Sequence, residues 1–189
     1  FENEMNPGLL MGCFETLISL IHKDIPESEK YIQNLSDHYR YLLENRKREF
    51  VELELELKSV EELTYLLGRA GAKVLSIESG KDLDTRGIKI IPGTLSYIVF
   101  FIVNNMIVSP LSPLTIHFSL DNDRNLLVSC QNRRRLMPGT EQNGNLNRLN
   151  RSYAHYTGFG IEVNKRDAMF EWKVPHIPEI QEDYRNRTK

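Results

Sequence analysis

The sequence predicts an α+β fold in which a two-helix hairpin precedes an α/β sandwich. Apolar residues recur every three or four positions in the first 45 residues, which indicates helices that pack side by side. Between residues 74 and 174, several short segments alternate apolar with polar residues, which indicates strands. Helical segments between these strands favour helices on one face of a mostly antiparallel sheet.

The first two helices each carry an apolar seam. The seam residues are Leu10, Phe14, Leu17 and Ile21 in the first helix and Ile32, Leu35, Tyr39 and Leu42 in the second. Asp24, Pro26 and Glu27 supply the break between the helices and the acidic start of the second one. Because two such helices cannot bury one long apolar stripe alone, the pattern predicts a homodimer that forms a four-helix bundle through these seam residues.

The pattern changes after a polar linker at residues 46–49. A helix is expected over residues 53–67, closed by Gly68 and Gly71, and a short strand follows at residues 74–78. The apolar segment 93–108 contains Asn104 and Asn105 and is predicted to be a core helix that ends before Pro110.

The remaining elements are mostly strands. Residues 116–120 and 126–130 are predicted to pair across a turn at residues 121–125. A helix is expected over residues 142–156, and a second strand pair, containing Ile161, Val163 and residues 170–174, turns at residues 165–167. We therefore predict a hairpin domain at residues 1–48, a sandwich domain at 49–180 and a charged tail at 181–189.

Composition limits the class of protein. The formal net charge of -2 gives no basis for a nucleic-acid partner. Cys13 and Cys130 lie far apart and fit no metal spacing, so both are expected to be buried, reduced thiols of a cytoplasmic protein. No apolar run approaches the ~20 residues that cross a bilayer. Since the chain opens at Phe1 with no signal peptide, any membrane contact is expected only through an upstream region.

Several stretches together resemble the LytS/YehU-type sensor histidine kinases. Met5-Asn6-Pro7-Gly8-Leu9-Leu10-Met11 stands where that family has Asn-Pro-His-Phe-Leu-Phe, and Leu35-Ser36-Asp37-His38-Tyr39-Arg40-Tyr41 is similar to its Leu-Ser-Asp-x-x-Arg-Tyr. Similar stretches follow in the family's order at residues 51–66, 91–92, 102–105, 153–158 and 170–175. The resemblance implies the core of a two-component signalling protein, with a dimerisation hairpin followed by a GHKL-type ATPase sandwich.

The resemblance places phosphotransfer chemistry on residues that differ here. Gly8 stands at the phosphoacceptor position and has no ring nitrogen to attack the γ-phosphate of ATP. His22 is a displaced alternative acceptor, although His22 and His38 are expected to be surface or seam residues. Asn104 replaces the Glu that activates the histidine, and a neutral amide cannot act as a base near pH 7. Asn105 keeps the family's Mg²⁺ ligand, or else bonds the neighbouring backbone.

The resemblance also implies a nucleotide site that has changed. Cys130 falls near the family's adenine-binding Asp, and losing a hydrogen bond to a charged group costs about 1.5–3 kcal/mol. The lid that presents backbone N–H groups to the phosphates corresponds to residues 142–147, which keep one glycine, Gly144. Residues 133–135 are three arginines that are expected to form a solvated basic loop, with phosphate binding as the alternative.

Four departures together predict a pseudokinase that signals by dimerisation and partner binding and takes neither ATP nor Mg²⁺ as a cofactor. A response regulator or an intact histidine kinase is the expected partner. The alternative is an active ATP-binding histidine kinase or ATPase that holds nucleotide near Asn104, Asn105, Cys130 and Gly144, with Mg²⁺ on Asn105. A third hypothesis is an unrelated α+β binding domain, which predicts no pair of long helices at the N-terminus.

Overall fold

A computed structural model of the chain describes residues 7–70, 74–80, 83–131, 143–166 and 168–178. Over these ranges the elements run in the order α1 (Pro7–Ile21), α2 (Ile25–Asn45), β1 (Val51–Glu52), α3 (Leu53–Arg69), β2 (Leu75–Ser79), β3 (Lys89–Ile90), α4 (Thr94–Asn105), β4 (Leu114–Leu120), β5 (Leu126–Gln131), α5 (Asn143–Thr157), β6 (Glu162–Arg166) and β7 (Met169–Val174). The α+β class is therefore confirmed, with a helical N-terminal part followed by a sheet.

Helices α1 and α2 form the predicted hairpin. The side chain of Asp24 accepts a hydrogen bond of 3.0 Å from the backbone N–H of Glu27, which satisfies one of the unpaired donors at the start of α2. Pro26 lies in the first turn, where its missing N–H removes no helical hydrogen bond. Local sequence thus fixes both the break and the direction in which α2 begins.

The main sheet has five strands in the order β2-β4-β5-β7-β6. β2 pairs with β4 in parallel, and the other three pairings are antiparallel, so the prediction of a mostly antiparallel sheet is confirmed. The turn between β4 and β5 is stabilised by Asp121, whose Oδ1 accepts from the N–H groups of Asp123 and Asn125. β1 and β3 form a separate antiparallel pair that the sequence pattern did not predict.

The core lies between the sheet and the helices. Alternate residues of the central strands point into it, including Ile116 and Phe118 of β4, Val128 and Cys130 of β5, and Phe170 and Trp172 of β7. Helices α3, α4 and α5 contribute the opposing side chains. Both cysteines are buried and unbridged, as expected.

Helix α3 is buried on two sides. Val60, Leu63 and Leu67 belong to the core of the sheet domain, whereas Leu66 packs with Cys13 of α1 and with residues of α2. The helix therefore lies between the hairpin and the sandwich and contacts both.

Several predicted boundaries differ from the structure. Gly68 lies inside α3, which continues to Arg69, and Gly71 falls outside the described residues. α4 ends at Asn105 and not at residue 108, because Met106 adopts an extended backbone. Of the predicted lid at residues 142–147, residue 142 lies outside the described residues and 143–147 belong to the start of α5. The predicted tail at residues 181–189 also lies outside the described residues, and the domain limits stay predictions. Within the described ranges, every helix is too short or too polar to cross a membrane.

Candidate functional site

The predicted phosphoacceptor position, Gly8, lies in the first turn of α1. Gly8 is exposed there and presents only backbone to the surroundings. His22, the displaced alternative, is exposed in the turn directly after α1 ends at Ile21. The imidazole that the resemblance requires on α1 is therefore missing from this exposed first turn.

His38 belongs to a helix seam and not to the surface. Only 1% of it is exposed, and its Nδ1 lies 2.9 Å from Ser59 Oγ and 3.1 Å from the backbone oxygen of Ser59 on α3. Burial lowers the pKa of His38 to about 4, so the ring is neutral near pH 7. A neutral imidazole enclosed between two helices cannot reach a nucleotide in this conformation.

The two asparagines of the predicted nucleotide site lie at the C-terminal end of α4. Asn105 is buried, and its Nδ2 donates a 2.8 Å hydrogen bond to the backbone oxygen of Phe101. This contact agrees with the interpretation in which the amide bonds its own helix. Asn104 is half-buried. The roles of both residues toward ATP or Mg²⁺ stay predictions.

Cys130 lies within the core of the sheet. Its register partners are Ile116 on β4 and Phe170 on β7, and burial raises the pKa of its thiol to about 12. A neutral, enclosed thiol cannot replace a carboxylate that accepts from an adenine amino group, so this position does not fit the family's adenine contact. Gly144 lies in the first turn of α5, and residues 133–135 fall outside the described ranges. Within those ranges, no cluster of three His, Cys, Asp or Glu side chains is placed to hold a metal ion.

Sequence reasoning missed a buried carboxylate, Glu56 of α3. It is 0% exposed and accepts hydrogen bonds from the hydroxyl of Tyr41 on α2 and from the backbone N–H groups of Gly93 and Leu95 at the start of α4, the last at 2.9 Å. Burial raises the pKa of Glu56, and these three hydrogen bonds oppose that rise. The carboxylate therefore joins α2, α3 and α4 at one point.

Glu56 performs the capping role that the local sequence of α4 lacks. The residue before the helix, Gly93, has a φ of 79° and carries no side chain that could cap the first turn. A carboxylate at a helix N-terminus satisfies unpaired N–H groups and interacts favourably with the helix dipole. The only sequence signal was an apolar helix that begins after glycine, which does not reveal a cap from another element.

Tyr153 of α5 holds the same helix start from the other side. Its hydroxyl accepts a 3.1 Å hydrogen bond from the backbone N–H of Ile91 and lies 2.9 Å from Thr94 Oγ1. Thr94 Oγ1 in turn donates to the backbone oxygen of Ile91 at 2.6 Å. The N-terminus of α4 is thus fixed by side chains from α3 and α5, with α2 contributing through Glu56.

Helices α2 and α3 run antiparallel along a seam that contains polar contacts from end to end. In order, the pairs are Glu27 with Tyr65 and Arg69, His38 with Ser59, and Tyr41 with Glu56. The Tyr65 hydroxyl donates to Glu27 at 2.5 Å, and Arg69 lies 2.6 Å from the same carboxylate oxygen. The hairpin is therefore attached to the sandwich along α2 and not only through residues 46–49.

The eight predicted dimer-interface residues fall into three groups. Leu17, Leu35 and Tyr39 pack inside the chain, in a cluster with Cys13 and Leu66. Exposed in contrast are Phe14, Ile21 and Ile32, whereas Leu10 and Leu42 are half-buried. Nothing in a single chain tests which of them meet a second copy, so the interface stays a prediction.

The exposed members belong to a larger set of exposed apolar side chains on α1 and the first half of α2, which we call the outer face of the hairpin. It consists of Met11, Phe14, Ile18, Ile21, Ile25 and Ile32. Along α1 these residues are spaced three and four positions apart, which is the pattern of a helix-packing seam. Among the described residues, half of the exposed large apolar side chains lie on α1 and α2. The outer face is therefore the main unburied apolar surface of the helical part.

A protein-family model matches the part of the chain that contains the hairpin. Residues 1–68 match the family model described as histidine kinase. This match covers 68 of 189 residues, so it includes the hairpin and most of α3 and leaves the sheet unmatched. No curated protein matches the chain.

Among solved structures, the chain is similar to several histidine kinases. The histidine kinase ThkA, solved in complex with the response regulator protein TrrA, has a TM-score of 0.42 at 15% identity over 85% of this chain and 53% of ThkA. The kinase AdeS of Acinetobacter baumannii gives 0.41 at 11% identity over 89% and 91% of the two chains. The histidine kinase domain of the blue-light activated kinase from Erythrobacter litoralis gives 0.40 at 11% identity over 89% and 93%. This chain thus spans about half the length of ThkA.

Proposed function

We propose that this chain is the cytoplasmic core of a LytS/YehU-like sensor histidine kinase homologue that has lost phosphotransfer. It acts in signal transduction as a homodimer, by changing how its helical hairpin packs. The match of residues 1–68 to the histidine kinase family supports the class. The observation that carries the loss of activity is Gly8, because no other side chain can supply the nitrogen nucleophile at that position.

A phosphorylation assay tests this proposal directly. The protein is incubated with Mg²⁺ and ATP labelled on the γ-phosphate, beside an intact histidine kinase as positive control. We expect acid-labile label on the control and none on this chain. Stable label on the wild-type protein at any histidine would contradict the proposal, and His22→Asn would then show whether the exposed histidine after α1 had accepted it.

The homodimer is proposed to form through the outer face. Fully burying one large apolar side chain contributes about 1.5–3 kcal/mol, so half-exposed sets on two copies supply on the order of 10 kcal/mol before the cost of association. The opposite side of α2 already packs against α3. A second copy of the hairpin would complete a four-helix bundle and cover the outer face of both chains.

Light scattering at micromolar concentration tests the dimer and its face separately. We expect the wild-type protein to be dimeric and Ile18→Glu, in the middle of the outer face, to be monomeric. Leu111→Glu is the matched control, because Leu111 is 98% exposed in a turn between α4 and β4 and lies outside the outer face. A monomeric wild type would contradict the proposed function, whereas a dimeric Ile18→Glu would reject only the outer face.

A response regulator or an intact histidine kinase is the proposed partner of this dimer. Either would recognise the hairpin, which lies within the part of the chain that the family model covers. Membrane attachment, where it occurs, is proposed to come through an upstream region.

A further inference from the structure

We propose that the hydrogen bond between Tyr41 and Glu56 couples the position of the hairpin to the order of helix α4. Tyr41 is on the second helix of the hairpin, Glu56 is on α3, and the amides that Glu56 binds begin α4. This inference rests on the proposed signalling role for its purpose, because a repacking hairpin needs a path to the rest of the molecule. The coupling between the hairpin and α4 can be measured without knowing the signal.

The link is specific because α4 depends on Glu56 for its first turn. The first N–H groups of a helix have no partner within the helix, and an unpaired buried donor is costly. Gly93 brings no side chain to the cap, so the amides of Gly93 and Leu95 are satisfied from α3. Any change that weakens the hydrogen bonds between Glu56 and these amides therefore destabilises the first turn of α4.

Tyr41 makes the hydrogen bonds between Glu56 and the α4 amides depend on the position of α2. A buried carboxylate is stable as an anion only while donors surround it, and Tyr41 of the hairpin supplies one of these donors. A shift of α2 along α3 by part of a helical turn would withdraw the hydroxyl from the carboxylate. The carboxylate would then bind the α4 amides less firmly, since it must find water or a proton instead.

Helix α4 would carry this change to the predicted nucleotide site. The helix is short, from Thr94 to Asn105, with Glu56 and Tyr153 at its first turn and Asn104 and Asn105 at its last. Its first turn is held by these two side chains from α3 and α5, while its buried face packs in the core. Loss of one of the two attachments lets the opposite end move relative to the sheet, so the hairpin and the Asn104–Asn105 end become thermodynamically linked.

The experiment compares amide hydrogen exchange in the wild-type chain and in the Tyr41→Phe variant. This variant removes one hydroxyl and keeps the ring, so the fold is expected to persist. We expect the amides of Gly93 and Leu95 to exchange at least about tenfold faster in Tyr41→Phe, the scale of one lost hydrogen bond to a charged group. Amides in the central strands β4 and β5 should keep their wild-type protection.

Two tyrosine variants of the same seam serve as controls. Tyr39→Phe removes a buried hydroxyl on the residue that follows His38. Among the described residues this hydroxyl has no hydrogen-bond partner, so the variant should leave α4 unchanged. Tyr65→Phe removes a comparable hydrogen bond, to Glu27, at the far end of the same seam. It should weaken the contact between α2 and α3 there without affecting the amides of Gly93 and Leu95.

The outcomes separate this inference from the proposed function. Unchanged exchange at Gly93 and Leu95 in Tyr41→Phe would overturn the coupling, even if the protein is dimeric. Equal acceleration of those amides by Tyr65→Phe would also overturn it, because the effect would then be a general loosening of the hairpin. Selective acceleration by Tyr41→Phe supports the link, even if the light-scattering experiment finds a monomer.

Discussion

Burial determines the protonation of the side chains between α2 and α3. His38 is enclosed in the middle of this seam and stays neutral because burial disfavours the imidazolium form. At one end of the seam, Tyr41 has its pKa raised by burial and by the adjacent Glu56 carboxylate. The hydroxyl therefore remains a donor at any physiological pH, which is the state that the contact with Glu56 requires.

His38 makes stability depend on pH in a defined window. The unfolded chain takes up a proton near pH 6.5, the ordinary pKa of histidine, while the folded chain resists protonation until about pH 4. Protons thus bind the unfolded state preferentially between these values, so stability falls as the pH is lowered through the window. The total loss is on the order of 3 kcal/mol in the free energy of unfolding.

Urea denaturation from pH 7 to pH 4 measures this effect. In His38→Asn, whose Nδ2 can occupy the position of the imidazole Nδ1, we expect lower stability at pH 7 and a flatter dependence on pH. His22→Asn is the control, because His22 is exposed, and it should keep the wild-type slope. Equal slopes for wild type and His38→Asn would show that His38 does not govern the acid loss.

The absence of a catalytic group could be predicted from the sequence where the chemistry depends on a single residue. Gly8 and Asn104 could be recognised as departures from the histidine kinase pattern, because glycine has no nucleophile and a neutral amide cannot act as a base. The contact of Glu56 with Tyr41 and Gly93 could not be predicted, since these residues are separated along the chain by other elements and only folding brings them together. The charged pattern of α3 gave no indication of which glutamate is buried.

At the scale of the elements, two glycines in or beside helices have opposite effects on the stability of their helices. Gly12 lies inside α1, and a Cβ placed there would meet nothing within 4 Å, so an alanine fits and would improve helix propensity. Gly93 precedes α4 with a φ of 79°, a conformation that costs other residues roughly 1–2 kcal/mol. The same substitution should therefore stabilise one helix and weaken the other.

Thermal unfolding of the two alanine variants measures this contrast. Gly12→Ala should raise the free energy of unfolding by up to about 1 kcal/mol, and Gly93→Ala should lower it by about 1–2 kcal/mol. Because both variants add one methyl group, a general effect of side-chain volume would change both in the same direction. A stabilising Gly93→Ala would argue against the left-handed backbone at the start of α4.

The sequence predicted the existence of most elements and missed those that lack a periodic signal. Helices α1 to α5 and the strands of the main sheet follow from spacings of three, four or two residues. β1 and β3 contain two residues each, which is too short for any alternation to show. Asn105 ends α4 where an apolar run continues, because the change to extended backbone at Met106 is not encoded in hydrophobicity.

For the whole molecule, the hairpin and the sandwich could be predicted as parts but their packing could not. The apolar seam of α2 was expected to meet a second copy, yet Leu35 and Tyr39 pack in a cluster that includes Leu66 of α3. A seam pattern indicates that a helix face is buried and does not identify the partner. After this internal packing, the side chains of the outer face stay exposed, and they are the surface that the proposed dimer would cover.

At the scale of the whole molecule, the pseudokinase hypothesis and the active-kinase alternative differ in whether the chain binds nucleotide. A ligand that binds only the folded state stabilises it according to its concentration and affinity, by about 2.7 kcal/mol at one hundred times Kd. For a protein of this size, such stabilisation would raise Tm by roughly 5–10 °C. An active kinase or ATPase with a Kd near 10 μM should therefore show a shift of this scale at 1 mM Mg-ATP.

We expect Mg-ATP at that concentration to shift Tm by less than about 1 °C, because Cys130 offers no carboxylate for the adenine amino group and Asn104 is neutral. Magnesium chloride alone is the control for ionic effects on the sandwich. A clear shift that needs both ATP and Mg²⁺ would contradict this expectation and favour the active alternative. Asn105→Ala would then test the position of the metal: loss of the shift, or a higher Mg²⁺ concentration needed to produce it, would assign the ion to Asn105, whereas an unchanged dependence on Mg²⁺ would leave that amide to its hydrogen bond with Phe101.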